Sequence, residues 1–285
     1  MMFDDFCRAH GLLVDGIQPG RWMRVPTVDH PRTRNGAYKY LGDIGWAQNH
    51  ATMSDVAIWR PESHEVARID VDRIRREAEA YQAKVRAGWA RAAARAGEMV
   101  RDAAPGEHDY LHHQGLSDSL GLVNADGTLL VPMRHWRTNE LVGAQVIGWD
   151  PVERRWNKKM IPGTRAKGAV LRLGSRQAPR SWLVEGYATG LSVEAAARLL
   201  RLRDAVVVCF SAGNLVHVSG LLGGNQIVFA DNDESGAGEA AAIKAGRPYV
   251  MSERVGDDAN DVHKRRGLFA LAQLMMGKGI SKMGP

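Results

Sequence analysis

Three groups of acidic residues in the last third of the chain fall where short apolar runs end. Glu185 closes SWLV and is followed by Gly186. Asp231 and Asp233 close QIVFA, with Gly236 after them. Asp257, Asp258 and Asp261 follow PYVMS within ERVGDDANDVH. Carboxylates brought close together repel, and a cation among them relieves the repulsion. Hard oxygen ligands on an otherwise apolar frame suit magnesium, or manganese in its place. Such an ion stabilises the charge that develops on a transferring phosphoryl group. Asp231 and Asp233 alternate along an extended strand end, so both reach the same side while Asn232 points away. Gly236 opens the next helix and lets backbone approach a ligand. An isolated D-x-D also reads as a turn with a helix N-cap. Strand–Glu–Gly followed by strand–Asp–x–Asp–x–x–Gly is the stronger signal.

These residues need a frame that carries several strand ends to one place. Residues 181–265 supply the pattern of one. SWLVEG, AVVVCF, NQIVFADND and PYVMS read as strands, and TGLSVEAAARLLRL, NLVHVSGLL and SGAGEAAAIKAG as helices. Near-continuous apolar strands alternating with helices predict an α/β fold, a parallel sheet flanked by helices. The carboxyl ends of its strands then share one edge, where sites form in open α/β sheets. Residues 262–276 read as a last helix and GKGISKMGP as a frayed end.

Upstream, residues 108–180 read as a basic α+β subdomain. HDYLHHQGL is a short helix and turn, and TLLVPMRHW, LVGAQVIGWD, RRWNKKMIP and AVLRLG are short strands. From about His64 to Ala103, Ile69, Ile74, Tyr81, Val85 and Trp89 recur at near-helical spacing. This predicts one long helix, or two with a break near Gly88, ended by Pro105-Gly106. Its charged surface suits a connector between domains. Residues 1–60 are rich in Gly, Pro, Asn and aromatics around the Asn35-Gly36 turn signal. They predict a small β-rich module with Trp22, Tyr38, Tyr40, Trp46 and Trp59 as core. The expected division is 1–62 for this module, 63–107 for the helical connector, 108–180 for the basic subdomain, 181–265 for the α/β domain and 266–285 for a C-terminal helix and tail.

The 285 residues are 45% hydrophobic and 25% charged, which is globular rather than disordered composition. No apolar run reaches the length of a membrane span. MMFDDFCRAH lacks the basic start and apolar core of a signal peptide, so a soluble cytoplasmic protein with no membrane partner is expected. Cys7 and Cys209 are the only cysteines, which argues against a disulfide framework. The net charge is +6 and is unevenly spread. Residues 151–180 carry Arg154, Arg155, Lys158, Lys159, Arg165, Lys167, Arg172, Arg176 and Arg180 against Glu153 alone, whereas 181–265 hold eight Lys/Arg against eleven Asp/Glu. Cations that hold phosphates beside carboxylates that hold metal would produce this polarity. So would a solvated basic surface, and charge by itself does not choose.

VEGYATGLSVEAA, VVVCFSAGNL, IVFADNDESGAGEAAA and DDANDVH together resemble the Toprim domain of phage- and plasmid-encoded primases. LLVPMR, GAQVIGWD and KKMIPGTRAKGAVLRLG resemble the region before Toprim in those proteins, and GRWMRVPT and NGAYKYLGD resemble their N-terminal part. The resemblance is specific over about 181–262, looser over 125–180 and weak before that. It implies a primase-like nucleotidyltransferase making RNA primers on a single-stranded DNA template from nucleoside triphosphates. By the same implication Glu185 is the general base or acid, and Asp231 and Asp233 bind metal. Asp258, Asn260 and Asp261 then assist metal or nucleotide binding, and Lys158, Lys159, Arg165 and Lys167 lie near triphosphate and template. Two departures stand out. Many such primases begin with a zinc ribbon, but Cys7, His10, His30 and His50 fit no zinc spacing, so no zinc is expected. No P-loop motif appears, so any replicative helicase would be a separate partner.

Other side chains read more plainly. Tyr187 suits packing or substrate stacking, Ser211 begins a turn into a helix, and His112-His113 mark an exposed helix end. Trp22 and Trp46 suit core packing better than base stacking. Two alternative functions stay open: a Toprim nuclease, and a non-catalytic DNA-binding replication accessory protein.

Overall fold

The computed structural model describes residues 1–53, 55–61, 71–278 and 280–281. It divides into two compact units, Met1–Ala87 and Gly88–Pro285. The expected helix start near His64, with Ile69, lies outside the described residues.

In the first unit, α1 (Phe3–Ala9) precedes four antiparallel strands in chain order, β1 (Met23–Val25), β2 (Gly36–Tyr40), β3 (Gly45–Asn49) and β4 (Ala57–Trp59). Phe3, Phe6, Cys7, Leu12, Tyr38, Ala47 and Trp59 form its core. Two of the expected core residues do not belong to it. Trp22 is 49% exposed, and Trp46 is half-buried under the Lys39 ammonium, 5.7 Å from its ring centroid. Trp46 pairs with Lys39 and Ile58, one residue out of phase with the core-facing Tyr38 and Trp59. Alternation along a strand therefore turns it to the other face. The space is filled by Phe3 and Phe6 of α1, a helix too short for periodicity to reveal.

α2 (Val71–Asp102) runs through Gly88 without a break. Beyond Gly88, Ala92 and Ala96 pack with Leu130, Ala144 and Ile161. Small side chains four residues apart let the helix lie close to the strands beneath. It ends at β5 (Ala104–Gly106), followed by α3 (Asp109–His113), β6 (Gly121–Val123), β7 (Leu129–His135), β8 (Leu141–Asp150), β9 (Arg155–Met160) and β10 (Ala169–Leu173). The alternating segment follows as β11 (Arg180–Val184), α4 (Tyr187–Leu199), β12 (Ala205–Val208), α5 (Ala212–Ser219), β13 (Asn225–Ala230), α6 (Ala237–Ala245) and β14 (Tyr249–Met251).

The expected last helix is two, α7 (Ala259–Arg266) and α8 (Leu268–Gln273), with a π-helical turn at Leu274–Lys278. Gly267 separates them with φ 81°, a left-handed backbone that a helix interior does not allow. Within the end read as frayed, β15 (Ile280–Ser281) pairs antiparallel with β14, while residues 279 and 282–285 lie outside the described residues.

The second unit is mixed α/β, built on one eleven-stranded sheet. Its order is β15-β14-β13-β11-β12-β10-β7-β6-β5, with β8 paired to β7 and β9 to β8. β14, β13, β11 and β12 are mutually parallel, and the other pairings are antiparallel. Alternate strand residues feed two cores. Trp182, Val184, Val206, Val208, Ile227 and Phe229 face α4, α7 and α8. Leu183, Val207, Val228 and Tyr249 face α5 and α6. Each parallel strand is apolar on both faces, which accounts for its unbroken hydrophobic run. β11 lies between β12 and β13, so the chain leaves β11 on one side and returns on the other. A crevice forms at the carboxyl ends of strands where such a reversal occurs.

Candidate active site

Glu185 follows β11 and Asp231 follows β13, the two neighbours at that reversal. A cavity of about 220 Å³ opens there, lined by Glu185, Asp231 and Asp258 together with Lys158, Tyr110 and Gln145 among others. The sheet order brings together residues separated by nearly 150 positions in the chain. A larger cavity, about 670 Å³, runs along α8 past Phe269 and Met276 and contains none of the acids named from sequence.

Asp231 is the most perturbed of the acids. Its Oδ1 is sealed from solvent and has no hydrogen-bond partner among the described residues. Burial, with Asp258, Glu185, Asp233 and Asp261 nearby, pushes its pKa up to about 7. A buried carboxylate oxygen without a donor is costly. A proton or a cation would satisfy it. Glu185 is also pushed up, by burial first and then by Asp233, while the Ala212 backbone N–H of α5 pulls it back. The turn after β12 holds the same residue by its main chain, since Phe210 N–H donates to Glu185 O at 2.9 Å. Phe210 makes this turn with φ 66°, a strained value for an aromatic residue. Buried Asn214 fixes the turn, donating to Cys209 O and Ala169 O at 2.8 Å and accepting from Gly168 N at 2.8 Å.

The remaining acids divide. Asp258 faces the cavity and is raised by burial, against the Thr189 hydroxyl that donates to its Oδ2 at 2.7 Å. Asp261 completes a capping box with Asp258 at the start of α7. Asp233 caps α6, accepting from Ser235 N, Ser235 Oγ, Ala237 N and Gly238 N. Those donors hold its pKa down at about 2, so it stays ionised. The D-x-D pair thus combines both sequence readings, one carboxylate at the cavity and one at a helix cap. Asn232 turns away and donates to Ser252 O. Asp257 is buried and ion-paired with Arg265. Asn260 is buried as well, its amide donating to Gln114 O at 2.9 Å and Ser192 Oγ at 3.0 Å. That ties α7 to α3 and α4 and turns the amide away from a ligand.

The four basic residues named from sequence scatter. Lys158 lines the acidic cavity, with its ammonium 5.3 Å from the Tyr110 ring centroid. Lys159, next along β9, points to the opposite face beside Trp149 and Asn157. Arg165 stacks over Trp89 at 5.1 Å, and Lys167 lies near His217. The first turn of α4, Gly186 to Thr189, adds its N–H end to the cavity wall.

Two glycines shape the second acidic site. Gly236 has φ 69° and open space around it, so its freedom serves the turn. The close approach belongs to Gly238, where a Cβ would collide with the carbonyl oxygen of Asp231. Sequence reasoning missed Gly238, and also Tyr110, Gln145, Thr189 and Phe210. Only the left-handed turn before Ser211 had a local hint, in the FSAGN run. Tyr187 lines the cavity with its hydroxyl pKa pushed up to about 12, burial first. Ser211 caps α5 as read, accepting from Asn214 N.

Among the described residues no three His, Cys, Asp or Glu side chains form a preformed metal cage. A magnesium ion does not need one, because it keeps several waters and binds through one or two carboxylates plus substrate phosphates. The partnerless Asp231 oxygen with Asp258 beside it fits that mode.

Fold and site together define an α/β protein with an acid-lined cavity at a strand-order reversal. No protein-family model matches the chain, and no curated protein matches its sequence. Similar solved structures include the RNA polymerase domain of Mycobacterium tuberculosis primase DnaG, at 21% identity and TM-score 0.37, covering 60% of this chain and 62% of that one. Another is the DnaG catalytic core, at 14% identity and TM-score 0.37, covering 60% and 64%. The chain thus spans less than two thirds of either structure. Among the described residues no helix is long and apolar enough to cross a membrane.

Proposed function

We propose that the chain is a primase-like nucleotidyltransferase that joins ribonucleotides on single-stranded DNA with a divalent cation. The observation that carries this reading is the sealed, partnerless Oδ1 of Asp231, set among carboxylates and sharing a cavity with Lys158. Asp231 and Asp258 would hold magnesium, with Asp233 as a permanent negative charge close by. The bound ion would supply neutralisation of triphosphate charge.

The residues of the chain divide the remaining work. Lys158 and the amino end of α4 attract and orient the phosphates. The attacking 3′-hydroxyl forms a new P–O bond at the α-phosphorus while the bond to pyrophosphate breaks. Glu185 takes the hydroxyl proton, and its raised pKa brings it nearer to a working base at neutral pH. The Phe210–Ala212 turn holds Glu185 in place through two backbone N–H groups, Phe210 donating to its carbonyl and Ala212 to its carboxylate.

The test is primer synthesis on single-stranded DNA with labelled ribonucleotides and magnesium. Asp231→Ala and Glu185→Ala are each expected to lower product by at least ~100-fold with circular dichroism unchanged. Wild-type product from either variant would overturn the site. Shortening of the DNA without nucleotides would instead identify a nuclease, and magnesium-independent DNA binding with neither product an accessory protein.

A further inference from the structure

A second cavity, about 510 Å³, opens where α3 meets the β6–β7 turn and the ends of β8 and β9. It is lined by Trp149, Trp156 and His108 and by the carboxylates of Glu107, Asp109 and Asp126. The rings stand at steep angles to one another. Trp149 and Trp156 meet edge to face, centroids 5.4 Å apart at 67°, and His108 is tilted 54° to Trp156 at 5.4 Å. Trp149 is 51% exposed, an unusual cost for an indole on a strand.

The charge of the cavity is one-sided. Among the described residues no Lys or Arg lines it, in a chain with a net charge of +6; Lys159 lies in the adjoining cavity that shares Trp149, with Asp150 there to balance it. Asp126 is locked by its bonds from Thr128 N and Oγ1, which hold its pKa below the usual range. His108 is held in place, its Nδ1 accepting from Tyr110 N at 3.0 Å and its Nε2 lying 2.9 Å from Gly127 O. His112 also lines it, exposed and 3.5 Å from Glu107. Lys158 lies on the Tyr110 ring and lines the acidic cavity of the candidate active site instead.

Three ligand classes can be weighed against this lining. Phosphates and nucleic-acid backbone are repelled by the three carboxylates. A bare divalent ion finds rings where it needs oxygens, and no three acids converge there. A soft, weakly hydrated cation gains from both features, since ring faces attract it and carboxylates neutralise it. We propose that this cavity binds an organic cation, an alkylated ammonium or a guanidinium group, between the Trp149 and Trp156 rings and the Glu107, Asp109 and Asp126 carboxylates. The two sources of that chemistry are a free polyamine and a basic side chain of another protein. The inference stands independently of the proposed polymerase activity.

The test follows the indole N–H resonances of the eight tryptophans in the full chain. Trp149→Phe and Trp156→Phe assign two of them. Titration with spermidine and, separately, with a Gly-Arg-Gly peptide is expected to shift those two saturably. The probe that saturates at lower concentration identifies the source. The double variant Glu107→Gln/Asp126→Asn keeps both rings and should weaken binding about fivefold. Absence of a saturable shift with both probes would overturn the proposal. So would unchanged affinity in the double variant. Oligothymidylate moving the same two resonances at lower concentration than either cation would overturn it too, by making the surface a base-stacking platform.

Discussion

The carboxylates at the ends of β11, β13 and the β14–α7 loop are chemically alike, and their surroundings make them different. Asp233 has four donors and stays ionised, whereas Asp231 has a sealed oxygen without one. The consequence for Asp231 is a pH-dependent stability. Its folded pKa of about 7 lies above the ordinary 3.8, so between those values the folded state holds a proton that the unfolded state releases. Stability therefore falls as pH rises through that window and is lowest above it. The penalty at pH 8 is ~4 kcal/mol at most, reduced by whatever solvent reaches the other oxygen. Without divalent ion, Asp231→Asn should melt a few degrees above wild type at pH 8, with the advantage gone near pH 4. Thermal denaturation at the two pH values checks this, and equal melting at pH 8 would mean the carboxylate is well solvated. Magnesium should raise the wild-type melting temperature at pH 8 and leave Asp231→Asn nearly unmoved.

At the scale of elements, the site depends on how closely helices approach strand ends. The first turn of α6 passes directly under Asp231, and only the missing side chain of Gly238 allows it. Gly236, two residues earlier, needs its left-handed backbone and has empty space beside it. The two glycines should respond differently. Gly236→Ala is expected to cost ~1 kcal/mol in urea denaturation, from backbone strain alone, with magnesium stabilisation kept. Gly238→Ala is expected to cost ~2–3 kcal/mol and to lose that stabilisation, because Asp231 must move. Equal costs would place the close contact elsewhere. Asn214 works in the same way on the β12–α5 turn. Asn214→Ala leaves two carbonyls and one N–H unpaired in the interior, and a loss of ~3 kcal/mol is expected in the same measurement.

Over the whole molecule, the two units rest on separate apolar clusters. The first draws on residues 3–59 and the second on residues 92–275. The second unit carries every acid of the candidate site and Lys158. A fragment of residues 71–285, which keeps α2 whole, should therefore melt cooperatively by circular dichroism and retain magnesium stabilisation. A broad, non-cooperative melt would show that the first unit is required for folding.

The alternation of strands and helices over 181–251, and the acids at the strand ends, were legible in the sequence because both are local. A strand buried on two faces must be apolar at every position, and a strand end needs a polar residue where the chain turns back. The long helix and the strands β7 to β10 were legible for similar reasons. Trp22 and Trp46 were misplaced because a ring satisfies core and surface alike, and strand parity decides between them. Which acids face the cavity, and that Lys158 and Tyr110 join them while Lys159, Arg165 and Lys167 do not, was settled by tertiary structure alone. Those residues are drawn from positions as far apart as Tyr110 and Asp258, and their meeting depends on β13 lying against β11. Periodicity reports only which side of its own element a residue occupies, and carries no term for the order in which strands assemble.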